Sequence, residues 1–500
     1  MLRQCLWTLF LIVLLGSLAG APVTRAQDTP AFDHPLFTGP IQTPTDPPVD
    51  LQHLALALRL DAASPHLEGT ARFELLVLTD TLRSVDFRAI GPSIERAELL
   101  RDTVHSPLSF ERIATDTVRV RLDTVLIAGD LFWLELAFRA APGRGWHTRS
   151  AYAWTTGTPG SVPYWLPVPV SPADRFSASL TVTVPGMNPV LAAALPGPPR
   201  PQDQGTTYGF YSPYLITTRH LVLATGPLDL EQPGGSRNAR TGITVAVPPP
   251  LRASASRTFG HLPEVIQFLT DFLRHPFPVD HMTVAALPGL YPDAVSGPGL
   301  ALLDTAFLLD ARGRHDINPD TTLARLLAGQ WFGNLITARH ETDRWLEDAP
   351  PYLLGARFAA HIWGDDAFAL RMESLRQAYL EETSRYVRPL VWDRWEDPAQ
   401  MKDAHSRMRG AWVLYMIYRR IGDDAFRRVL NRFLYAQERS GADTEDLRRA
   451  LEAETGTDWS AFFDQWVYAA GHPILELSYE HARDTLYVTV RQVQTGPLVP

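Results

Sequence analysis

The stretch Leu323–Pro350, LARLLAGQWFGNLITARHETDRWLEDAP, decides the fold. With the residues just before it, Pro319–Asn334 (PDTTLARLLAGQWFGN) predicts a helix that Asp320 or Thr321 caps and that stops near Gly333. A second landmark, Trp345-Leu346-Glu347-Asp348, follows without a break. Upstream, LPEVIQFLTDFLR reads as a helix, because Val265, Phe268, Leu269 and Phe272 recur at three- and four-residue spacing. HMTVAAL, from His281 to Leu287, reads as a short strand.

Further out the period changes. From Leu51 to about Leu228 the chain alternates with period two, punctuated by Pro, Gly and Asp, which predicts a large antiparallel β domain. Leu54, Leu56, Leu58 and Leu60 share one face of HLALALRLD, and Val118, Val120 and Leu122 share one face of DTVRVRLD. LFWLELAF and SASLTVTVP add two more candidate strands. Glu231–Pro250 is a boundary, and the glycine-rich PGGSRN at Pro233–Asn238 reads as a linker. From about Phe358 to Tyr468 the pattern is helical, each segment with an Asp or Thr start or a Gly stop. ILELSYE and TLYVTVRQV then predict two strands, a marginal unit in water by themselves.

The N-terminus carries Arg3, an apolar run from Leu6 to Leu18 and a small-residue cut after Ala26. That run is too short to span a bilayer and predicts a secretory signal, hence a periplasmic or extracellular protein. Nothing later approaches transmembrane length. The only cysteine, Cys5, lies in that signal, so neither disulfides nor a cysteine nucleophile is expected. The formal charge of −9 moves to −11 once Arg3 and Arg25 leave with the signal, which argues against nucleic acid as partner. Lys402 is the only lysine, a bias that codon composition explains.

From roughly Leu51 to Val493 the chain resembles the zinc aminopeptidases of the gluzincin clan, the membrane alanyl aminopeptidase type. Five landmarks in order carry the resemblance. The family's helix H-E-x-x-H-Q-W-F-G-N is matched by Arg325 through Asn334. Its W-L-N-E is matched by Trp345 through Asp348, which places Asp348 at the third zinc ligand. Its G-A-M-E-N-P-G-L loop is matched by Asp293 through Leu300, its Y-x-K-G-A by Arg407 through Ala411, and its W-x-x-x-x-G-x-P by Trp466 through Pro473. The resemblance implies a multidomain α+β fold. A signal (1–26) and a Pro-rich lead-in (27–50) precede a β saddle domain (51–235) and a thermolysin-like domain (240–365). A helical domain (366–471) follows, then strands over 472–500 that read as the start of a β-sandwich.

Zinc hydrolysis of a peptide needs three protein ligands and an open position for water. Here Arg325 and Gly329 occupy the two histidine positions. Arginine offers a metal no lone pair, and glycine has no side chain. Leu326 stands where the general base belongs, Ser296 where the family grips a free amine, and Arg407 where a tyrosine steadies the tetrahedral intermediate. No metal or catalytic residue is therefore expected. The alternative metal candidates are His340, Glu341 and Asp348, and no two histidines lie four apart. Neither a G-x-S-x-G elbow nor a phosphate loop is present.

The residues predict an exported pseudo-peptidase that binds peptide or protein in a cleft lined by Ser296, Arg325, Gly329, Asp348 and Arg407. An Arg325–Asp348 ion pair is expected where zinc would stand, and the entering arginines should turn the cleft towards anions such as a peptide C-terminus. The alternatives are an active aminopeptidase with a non-standard metal site and a purely structural protein.

Overall fold

The computed structural model describes residues 36–494 apart from 44–45, 65, 102–103, 170–173, 204, 233–240, 291–293, 317 and 439. The predicted signal, Cys5, part of the lead-in, the PGGSRN linker, Asp293 and Pro500 lie outside the described residues. Two compact units result, residues 35–471 and a C-terminal piece.

In the larger unit, alternation becomes sheet. Strand Val49–Arg59 buries Leu54, Leu56 and Leu58. It lies at the centre of a nine-stranded sheet, antiparallel to Leu67–Val77 and parallel to Ser177–Val184, the one parallel pairing of its long strands. LFWLELAF forms strand Leu131–Ala140 and continues the sheet beside Leu67–Val77. DTVRVRLD lies in strand Thr117–Leu126 of a separate four-stranded sheet. There Val118 and Val120 turn inward and Arg119 pairs outward with Asp86 at 2.8 Å. A second four-stranded sheet contains Tyr152–Thr155 and Leu223–Thr225.

Next comes a five-stranded sheet in the order Asp229–Glu231, Gly242–Val247, His281–Leu287, Leu300–Asp304 and Val295–Gly297. Its three central strands are parallel, and edge strand Val295–Gly297 runs antiparallel. Residues 229–231, on the β side of the expected boundary, thus pair into this sheet. Helix Leu262–Leu273 covers it with Val265, Leu269 and Phe272. Helix Asp320–Ala328 follows; Leu323 and Leu327, i and i+4, face the same core.

The helices after Trp345 continue that core, which runs from Ile243 to Val467. They include Trp345–Trp363, Asp365–Thr383, Gly410–Ile421, Asp423–Gln437, Thr444–Thr455 and Ser460–Trp466. Thr444–Thr455 has a capping box between Asp443 and Asp446 and ends on Gly456 in the left-handed region. Among the described residues no helix is long and apolar enough to cross a membrane.

The C-terminal piece is a hairpin of Leu475–Ala482 and Thr485–Gln492. Leu477 faces Val490 and Tyr479 faces Val488 on one side, and Glu476 pairs with Arg491 on the other.

Candidate functional site

The site begins where the helix of the opening stretch ends. The helix starts one residue earlier than its sequence suggests, with Pro319 at the cap and Asp320 as the first helical residue. The Asp320 carboxylate is instead engaged by His261 at 2.9 Å and Arg314 at 3.2 Å. The helix also stops sooner, at Ala328, with Gly329 as cap. Gln330–Asn334 forms a tight turn in which Leu335 donates to the Gln330 carbonyl and Gly333 takes a φ of +113°. Only glycine adopts that conformation readily.

This geometry gathers the expected residues. Ser296, Arg325, Leu326, Gly329, Asp348 and Arg407 all line one cleft, open to solvent in part. Ser296 sits on the edge strand, where its hydroxyl accepts from Gln330 Nε2 at 3.0 Å. That bond and the apolar side chain of Leu326 leave the floor of the cleft without a general base. His340 is exposed and does not reach the cleft, and Glu341 turns to Arg344 at 3.3 Å.

The expected Arg325–Asp348 pair does not form. Asp348 is taken by Arg344, one helical turn earlier, at 3.4 Å. The same guanidinium lies 3.3 Å from Glu341 and 3.5 Å from Glu347. Three carboxylates thus hold Arg344; its burial disfavours the charge, and they outweigh that and push its pKa up. Arg325 instead lies over the ring of Tyr352, 5.0 Å from the centroid.

The opposite wall comes from the β domain. Arg219 reaches across to Glu347 at 2.6 Å and to the Gly333 carbonyl at 3.2 Å. Burial disfavours the Glu347 carboxylate, yet Arg219 and Arg344 hold its pKa below the usual range. His220 Nε2 lies 2.6 Å from the same carbonyl; burial and the neighbouring Arg219 hold its pKa far down, so it is a neutral donor there.

The third wall is a turn that sequence patterning does not reveal. Residues His405–Arg409 form a π-type turn ahead of helix Gly410–Ile421. Such widened turns recur at functional sites. A fully buried Arg388 locks it, donating to Asp403 Oδ2 at 2.8 Å and to Ser406 Oγ at 2.7 Å. The turn delivers Arg407 to the cleft, and the segment just before it delivers Lys402. Arg407 Nε donates to the Asp403 carbonyl at 3.0 Å, and its guanidinium lies 6.0 Å from the Tyr352 ring. Burial pushes Lys402 down. At Tyr352 burial works upward, but Arg325, Arg407 and Lys402 together bring the phenol below its usual pKa.

Arg219, Arg344, Tyr352 and Lys402 were not among the expected site residues. Only Arg344 left a readable trace, its i+3 and i+4 spacing to Glu347 and Asp348.

Zinc, the metal that the resemblance implies, does not fit these residues. The two cleft carboxylates, Glu347 and Asp348, are committed to guanidinium groups, and the one cleft imidazole is committed to a carbonyl. Among the described residues, three metal-capable groups converge only at Glu98, His105 and Glu135 and at Glu382, Asp403 and His405. Neither set lines the cleft, and both are already paired to arginines. His340, Glu341 and Asp348 are not such a set. What lines the cleft is five cations against two carboxylates.

Comparison with known proteins agrees with this fold. Residues 257–466 match the model of the peptidase family M1 domain. Aminopeptidase M1 of Arabidopsis thaliana is 26% identical over 226 residues, covering 42% of this chain and 25% of that protein. Aminopeptidase N of Lactococcus lactis is 26% identical over 243 residues, covering 46% and 28%. The matches thus span little more than a quarter of these relatives' length. A crystal structure of an M1 zinc metallopeptidase from Deinococcus radiodurans superposes with a TM-score of 0.70 at 20% identity, covering 89% of this chain and 98% of that one.

Proposed function

We propose that this chain, which belongs to the zinc aminopeptidase family of the gluzincin clan, is an exported pseudo-peptidase that binds peptide or protein in its cleft without hydrolysing it. One observation carries the reading. Where peptide hydrolysis needs metal ligands and a base, the cleft holds Arg325, Leu326 and Gly329, and a guanidinium occupies Asp348. Arginine can neither ligate zinc nor take a proton from water. Leucine cannot act as a base. The open volume of the cleft supports binding over a purely structural role. The surplus of cations favours the anionic end or side chains of a ligand over a free amine. Export is supported by the apolar Leu6–Leu18 run behind Arg3.

The test is elemental mass spectrometry on the purified mature protein, paired with an aminopeptidase assay in added zinc. The expected result is no stoichiometric metal and no turnover. One zinc per chain with turnover would overturn the reading.

A further inference from the structure

The cations of the cleft fall into two groups. Arg219 and Arg344 are matched by Glu347, Asp348 and Glu341. Arg325, Lys402 and Arg407 have no carboxylate within 4.0 Å among the described residues. These three surround one phenol. Arg325 stacks on the Tyr352 ring, the Arg407 guanidinium lies 6.0 Å from its centroid, and Lys402 lines the same cleft. A half-buried cluster of three cations with no carboxylate in direct contact, Lys402 and Arg407 feeling Asp348 only from farther off, is unfavourable unless an anion joins it.

Resting on the binding reading above, we infer that Arg325, Lys402, Arg407 and Tyr352 form an anchoring site for a compact doubly charged oxyanion of the phosphate type.

Charge, shape and polarity lead to this class. A single carboxylate would leave two of the three cations unmatched, and a dianion leaves one. The two guanidinium groups present planar forks that grip pairs of oxygens on a tetrahedral group, and the ammonium adds a point charge. The Tyr352 hydroxyl, also on the cleft wall, has a proton to donate to a ligand oxygen. Ser296 and Asn334 add neutral hydroxyl and amide groups on the adjoining wall. The anion could arrive as free phosphate or as a phosphoryl group on a peptide, since the chemistry at the site is the same.

Calorimetric titration of the mature protein at low ionic strength tests this, with inorganic phosphate, a phosphoserine peptide, its unphosphorylated twin and acetate as probes. One phosphate should bind per chain, with affinity falling as salt rises. Arg325→Met and Lys402→Met should each weaken it about tenfold or more, with near-ultraviolet circular dichroism confirming that each variant is folded. Arg325→Lys should lie between parent and Arg325→Met. Phosphate binding without any peptide preference identifies the free ion as the source; a phosphoserine peptide that outcompetes its twin identifies the peptide. If phosphate binds no better than acetate while the unmodified peptide binds, the dianion site is wrong and the binding reading stands. If no probe binds, both are wrong. If a variant does not fold, the parent's preference for phosphate over acetate decides alone.

Discussion

Removing Arg344 should destabilise the protein by an amount that the structure lets one bound. Only 7% of the Arg344 side chain is exposed, and three carboxylates share it. In Arg344→Met, Glu347 keeps Arg219 at 2.6 Å and the Ala338 amide at 2.6 Å, so it contributes little to the loss. Asp348 and Glu341 lose the cation that faces them. Their side chains are 12% and 21% exposed, which admits some water and softens the penalty. Breaking a buried pair costs about 3–5 kcal/mol, and these contacts of 3.3–3.5 Å place the loss near the lower figure, about 3 kcal/mol. Urea unfolding followed by the fluorescence of buried Trp331 and Trp345 reads it directly. With a slope of about 3 kcal/mol per molar, the midpoint should fall by about 1 M. Adding Asp348→Asn should restore about 1–2 kcal/mol, because the orphaned charge is then gone. A midpoint unchanged in Arg344→Met would refute the claim that this guanidinium neutralises the cleft carboxylates.

Three other outcomes are expected. Arg325→His, Leu326→Glu, Gly329→His and Asp348→Glu together should create zinc affinity, and adding Arg344→Met should strengthen it about tenfold by removing the competing cation; elemental analysis after dialysis against graded chelator measures both. Burial, with the neighbouring Asp50, raises the Asp174 carboxyl to about 7 from 3.8, so the stability it contributes is complete below about pH 3.8 and lost as pH rises through 7. Asp174→Asn, which can still accept from the Leu51 amide, should therefore gain stability as pH rises from 3.8 to 7, with up to about 2–3 kcal/mol more gained at pH 8 than at pH 5, read by thermal melts at the two pH values. Arg388→Met should cost about 3–5 kcal/mol by stranding buried Asp403, and it should also weaken phosphate binding, since the turn it locks carries Arg407 and Asp403 adjoins Lys402.

The sheets were legible because burial on one face leaves a period-two trace, as in Leu54, Leu56 and Leu58. Helix ends were legible where chemistry marks them, as at Asp443 and Gly456. The start at Asp320 was misplaced because its carboxylate serves His261 and Arg314, partners that only the fold brings near. Six cleft residues could be placed because they occupy ordered landmarks, yet their pairing could not. Arg325 and Asp348 sit on different helices, and Arg344, the cap of the helix that carries Asp348, captures the carboxylate first. Arg219 and His220, more than a hundred positions away from Gly333, left no local signal. The π-type turn at His405–Arg409 has no periodicity of its own to betray it.

Lys402, set aside as a by-product of composition, gives the cleft a chemical address. It is the only side-chain amine in the chain, and burial lowers its pKa, so near neutral pH it is a stronger nucleophile than an ordinary surface lysine. An amine-directed reagent therefore has one side-chain target, inside the cleft. Occupancy of that cleft becomes something that can be counted as protection of a single covalent label, in a protein whose only cysteine is Cys5.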